Sequence, residues 1–89
     1  MANVNVTRTA VNRASHACVD AATELRNASK EMLRKYEAAG SGWSDAKYKE
    51  VGEIVNQCNE AMKAPISQLS SCYQTLQTLS RIIEIYENA

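Results

Sequence analysis

Apolar side chains recur every three or four positions through most of this chain, and the recurrence breaks only once. Val11, Ala14, Cys18, Ala21, Leu25, Ala28 and Met32 mark a first stripe. It drifts onto Leu33 and Tyr36, as a 3.6-residue helix must when measured against a seven-residue repeat. After the gap, Tyr48, Val51, Val55, Cys58, Met62, Pro65, Leu69, Cys72, Leu76, Leu79, Ile83 and Tyr86 mark a second stripe. The pattern predicts an all-α, antiparallel helical hairpin filling residues 1–89 as one domain. Helix one covers about 7–39, a turn 40–43 and helix two about 44–86. Residues 1–5 carry no helical period and read as a frayed lead, with Thr7 as the cap.

The break itself is Gly40-Ser41-Gly42-Trp43-Ser44-Asp45. Gly40 is placed to close helix one in a left-handed cap, and Ser44 to cap helix two, with Asp45 at its positive end. Trp43 then reaches Tyr48 as a hydrophobic staple. Folding at Ser41-Gly42 pairs residues whose numbers sum to about 83, given the common rise of ~1.5 Å per residue. Met32 therefore meets Val51, Leu25 meets Cys58, and Ile82, Ile83, Ile85 and Tyr86 extend past the start of helix one. Pro65 lies inside the second stripe, which stays in phase on both sides. A kink near Ala61 to Ala64 follows, because proline removes the bond to the Ala61 carbonyl and crowds that turn.

Composition narrows the reading. The formal charge is zero, with residues 1–40 carrying six basic and four acidic side chains and residues 41–89 four and six. There is no broad basic field for nucleic acid, and the halves attract weakly. No apolar run reaches the ~18 residues of a membrane span, and the N-terminus lacks the basic and apolar regions of a signal peptide. Neither membrane insertion nor signal-peptide export is expected. Three cysteines, odd in number and far apart, argue against a disulfide framework. In the register above, Cys18 lies ~10 Å along the axis from either other cysteine, so free thiols are expected.

Chemistry-bearing clusters are sparse. His16 and Cys18 point to different faces, while Cys58 and Cys72 share one but stand ~21 Å apart, so neither pair reads as a metal site. No residue set frames a nucleophile, and no cofactor is expected. Arg26, Lys30 and Arg34 form a row on the outer face of helix one, read as solvated. The informative feature is helix two. Ile54, Ile66, Tyr73 and Ile82 flank its stripe, and Ala64 to Ser80 contains no charged residue. Apolar flanks that one thin helix cannot cover read as a protein interface. The candidate interface residues are Ile54, Ile66, Leu69, Tyr73, Leu76, Ile82 and Tyr86, and the expected assembly is a four-helix bundle.

Helix, glycine-bearing turn, tryptophan and helix in a chain of this length resemble the WXG family of small helical hairpins of bacterial type VII (ESX) secretion. The likeness spans the whole chain in architecture. In motif it rests on Trp43-Ser44-Asp45 and Tyr48, with Gly40 and Gly42 in the same turn. Asp45 stands where the family has glycine, as in divergent members and in the small partners of LXG-type toxins. The family's export signal, a tyrosine followed four residues later by an acid, does not follow Tyr86. The resemblance implies a non-enzymatic protein that pairs with itself or a related hairpin, and carries or partners a secreted effector such as an LXG-type toxin. It implies a cytoplasmic stage before export by the type VII route. The alternative is a cytoplasmic or phage helical adaptor or assembly subunit with no link to secretion.

Overall fold

The structure, a computed structural model, describes residues 7–88; the frayed lead and Ala89 lie outside the described residues. Helix α1 (Arg8–Ala39) runs against a second arm made of α2 (Ala46–Ala61) and α3 (Lys63–Glu87). No described residue is in a strand. The radius of gyration is 20.1 Å and the extents are 67 × 16 × 16 Å. A compact chain of this length has a radius of about 12 Å. The molecule is therefore a rod two helices wide, with the turn at one end and both arm ends at the other.

Thr7 starts α1 as expected: its backbone is extended and its Oγ1 accepts the Ala10 amide at 3.1 Å. The turn differs from expectation in two details. Gly40 is right-handed, at φ −62° and ψ −20°, and no described residue has a positive φ. The end of α1 is closed by tight i to i+3 bonds instead, with the amides of Gly40, Ser41 and Gly42 donating to Glu37, Ala38 and Ala39 at 3.1–3.3 Å. Glycine is needed at position 40 for room, since a Cβ there would stand 2.5 Å from the Tyr48 hydroxyl. The second correction concerns the cap. Asp45, not Ser44, accepts the Tyr48 amide, at 3.2 Å, and α2 begins at Ala46. A carboxylate at that position gains from the positive helix end as well as from the hydrogen bond.

The two arms are locked beside the turn by a tyrosine pair. The Tyr36 and Tyr48 rings stack at 4.3 Å with 7° between planes. Each hydroxyl donates to the other residue's carbonyl, at 2.9 Å and 3.0 Å. Each ring also lies over a glycine, Tyr48 over Gly40 and Tyr36 over buried Gly52. Farther along, Ser29 donates to Asn59, Gln77 Nε2 donates to Ser15 Oγ at 2.8 Å, and Arg8 pairs with Glu84 at 3.4 Å.

The expected register holds beside the turn, where Tyr36 meets Tyr48, and shifts farther along the rod. Asn59 is opposite Ser29, and Cys58 beside it is exposed, so Leu25 does not pair with Cys58. Arg8 beside Glu84 places Ile82 and Ile83 alongside the first turn of α1 rather than past it. From Ser15 to Ser29 is fourteen residues, whereas the matching span from Asn59 to Gln77 is eighteen. The second arm spends about one extra helical turn there. The bend lies inside that span. Met62, at φ −76° and ψ −17°, separates α2 from α3. Its amide still donates to Cys58 at 3.1 Å and its carbonyl still accepts from Ile66 at 3.2 Å, so Pro65 bends the arm without breaking it.

The inward faces are rotated from the expected ones at alternate positions. On α1, Ser15, Ala22 and Ser29 are buried while Ala14 and Ala28 are exposed. On the second arm, Gly52, Asn59, Ile66, Tyr73 and Ser80 turn inward, while Cys58, Pro65, Cys72, Leu79 and Tyr86 are exposed. Among the described residues only Val11, Ala22 and Val55 are buried apolar side chains, beside buried Ser15, Ser29 and Ser80.

Gly52 separates packing from propensity. Glycine to alanine inside a helix gains about 1 kcal/mol from propensity alone. Here the new methyl must displace the Tyr36 ring, whose Cζ would stand 2.8 Å away. Gly52→Ala should therefore lower stability by about 1–3 kcal/mol in thermal or urea melts followed by circular dichroism. Gly42→Ala should be nearly neutral, because nothing lies within 4 Å of a Cβ there.

Candidate protein-binding surface

Two separate surfaces remain once the seam is closed, one at each end of the rod. At the turn, Asp45 caps α2, Tyr48 is clamped to Tyr36, and Trp43 packs its edge on Tyr48 at 5.5 Å and 69°. The indole is 37% exposed. It both braces the turn and presents an aromatic edge to solvent. Gly42 is exposed with open space around it. The five turn residues singled out in the sequence, Gly40, Gly42, Trp43, Asp45 and Tyr48, thus gather at one end, with Tyr36 as a sixth member that spacing from the turn did not reveal.

At the other end, Leu79, Ile82 and Tyr86 occupy one line of α3 at i, i+3 and i+7, and Ile85 lies beside them. Their exposures rise from 39% at Leu79 through 56% at Ile82 to 79% at Tyr86, with Ile85 at 70%. Ile54, on α2, is 58% exposed and separate from this patch. The remaining candidate interface residues are placed differently: Ile66, Leu69, Tyr73 and Leu76 are half-buried along the hairpin's own seam. The uncharged stretch from Ala64 to Ser80 shows solvent mainly Ser67, Gln68, Ser71, Gln74, Thr75 and Thr78.

Between the ends, α1 and the second arm leave shallow grooves. One is lined by Cys18, Val19, Ala22, Leu69 and Tyr73. The other lies beside the bend, with Leu33, Met62 and Ile66 at its floor and Arg26, Lys30 and Lys63 at its rim. Arg34, the last of the basic row, pairs with Glu31 and holds that carboxyl below its ordinary range. No group of three histidine, cysteine or acidic residues among the described residues is placed to hold a metal, and no described helix is long and apolar enough to cross a membrane.

No family model, curated protein or solved structure matches this chain. The surfaces must therefore be read from their own chemistry. They offer apolar and aromatic area on rigid helices, which is what a protein partner recognises.

The turn generates two expectations. Trp43→Ala should cost about 1–2 kcal/mol, less than a buried indole, because it removes the edge contact with Tyr48 and only part of an apolar burial. Acrylamide should quench Trp43 fluorescence efficiently in the folded chain. Tyr36 supplies the second. Burial, followed by its hydrogen bond and charge interaction with Tyr48, pushes its hydroxyl above the ordinary phenol value of 10.0. A raised folded-state pKa stabilises the fold below the unfolded pKa and loses that contribution as pH rises through the folded one. Melting temperature should fall above about pH 10. Tyr36→Phe should flatten that fall, as read by melts across the tyrosinate titration.

Proposed function

We propose that this chain is a non-enzymatic helical hairpin of type VII secretion, acting in a dimer as a secreted substrate or as the partner or chaperone of a secreted effector. The observation that carries the reading is the thinness of the hairpin's interior against the apolar area outside it. Three apolar side chains are buried among the described residues, while Leu79, Ile82, Ile85 and Tyr86 stand exposed together at the tip. Two helices enclose little apolar surface for so long a rod, and a second hairpin would bury more of it. The proposed product is a four-helix assembly, made with a second copy or a related hairpin. The helical domain of an LXG-type effector fits the same role.

The secretion assignment rests on the turn. Trp43 braced on Tyr48 behind a glycine-bearing break is the feature that resembles the WXG hairpins. Its exposed edge leaves it available to a partner or to secretion machinery while the rest of the turn is occupied in closing the hairpin.

Sedimentation equilibrium at micromolar concentration tests the proposal. The wild-type chain should sediment above monomer mass. Ile82→Glu and Tyr86→Glu, both on exposed side chains, should weaken association at least about tenfold without loss of helical signal. A well-folded monomer, indifferent in melting to concentration and to both charges, overturns the proposal.

A further inference from the structure

We propose that Cys18 and Cys72 form a reversible intrachain disulfide, a redox site that staples α1 to α3 with low-molecular-weight disulfides as the oxidant. The register brings the two thiols together. One turn toward the termini, Gln77 hydrogen-bonds Ser15; one turn toward the bend, Ala22 and Leu69 line one groove with Cys18 and Tyr73. Cys18 therefore faces the turn of α3 that carries Cys72. Cys18 has buried Ser15 and Ala22 as its neighbours along α1, so α1 itself presents only small side chains at this level. All three cysteines are free in the structure.

The two thiols are also unlike in access. Cys72 is exposed, whereas Cys18 is half-buried and its thiol is pushed up, first by its interaction with Cys72 and then by burial. The reagent therefore meets Cys72 first. The Cys72 thiolate attacks one sulfur of the small disulfide and expels one small thiolate, giving a mixed disulfide on Cys72. The Cys18 thiolate then attacks the Cys72 sulfur and expels the second small thiolate. Two protein thiols are oxidised, one small disulfide is reduced to two thiols, and the two protein protons pass to the departing thiolates. The bond closes a loop containing the turn, α2 and the bend, and so restricts the unfolded chain. Cys58, exposed on α2 beside Asn59, has no such facing thiol and serves as an internal control. The site belongs to the hairpin itself and does not depend on export or on a partner.

The test uses the full chain in reduced and oxidised glutathione mixtures, followed by acid quenching, alkylation and peptide mapping without reductant. The expected result is a linked peptide pair containing Cys18 and Cys72, with Cys58 alkylated. The equilibrium constant for that bond should be at least about tenfold larger in the folded chain than in urea, since folding and the bond favour each other. Cys58→Ser should leave the bond intact. Cys18→Ser should arrest the reaction at the glutathione adduct of Cys72, with circular dichroism reporting that the fold is kept. Alkylation of both Cys18 and Cys72 in the folded chain under mixtures that link them in urea overturns the proposal. So does a dominant bond involving Cys58.

Discussion

The hairpin depends first on the interlock of Tyr36 with Tyr48. Two phenol rings at 4.3 Å would not by themselves fix how two helices slide along each other. The reciprocal hydrogen bonds do, because each hydroxyl reaches a single backbone carbonyl on the opposite arm. A slip of one residue would break both and leave polar groups without partners in a half-buried site, a cost of about 1–3 kcal/mol per group. The glycines make the interlock possible. Gly40 and Gly52 remove the two Cβ atoms that would hold the rings away. Gly52 accepts a helix-propensity cost for that purpose, so packing outweighs propensity at this position.

From that fixed end, polar contacts recur along a seam whose large apolar side chains are only half-buried. Ser29 with Asn59, Ser15 with Gln77 and Arg8 with Glu84 step along the rod. Small side chains permit close approach, and directional bonds specify which residues meet. Such a seam is strong in register and poor in apolar burial. Pro65 adds the remaining adjustment. The bend at Met62 lies within the span where the second arm uses about one more turn than α1, so the proline sets which part of α3 reaches which part of α1.

Much of this was legible from residue types alone. Two long helices, the turn, the Thr7 cap and a bend at the proline all follow from local chemistry, and local chemistry is what spacing reports. The register was legible only beside the turn, at Tyr36 and Tyr48. An antiparallel offset depends on how far each side chain leans and on what it finds opposite, and no periodicity contains that information. The inward face was half legible in an instructive way. Val11, Cys18 and Leu25, and Val55, Met62, Leu69, Leu76 and Ile83, belong to both the expected and the observed lines. At the alternate positions, Ser15, Ser29, Asn59 and Ser80 turn inward in preference to Ala14, Ala28, Cys58 and Leu79. A hydropathy pattern favours the second set, whereas hydrogen bonding across the seam selects Ser15, Ser29 and Asn59. The same rotation carries Ile66 and Tyr73 into the hairpin's own seam, away from the outer flank on which the spacing placed them.

That rotation bears directly on where a partner can act. With Ile66, Leu69, Tyr73 and Leu76 engaged by α1, the outer face of α3 between Ala64 and Thr78 is hydroxyl and amide rather than apolar. A partner that required a continuous apolar stripe would find it only over Leu79, Ile82, Ile85 and Tyr86. Uncharged polar groups along the rest of the rod impose little desolvation cost compared with charges, and they offer hydrogen bonds to a helix laid beside them. The arrangement thus favours association nucleated at the apolar tip and extended along a polar, charge-free face toward the bend. Because α1 and α3 share a register held by side-chain bonds, anything that tightens that pairing, including a covalent link at Cys18 and Cys72, also fixes the face that α3 presents outward. Stability of the hairpin and geometry of its outer surface are in this way properties of one seam.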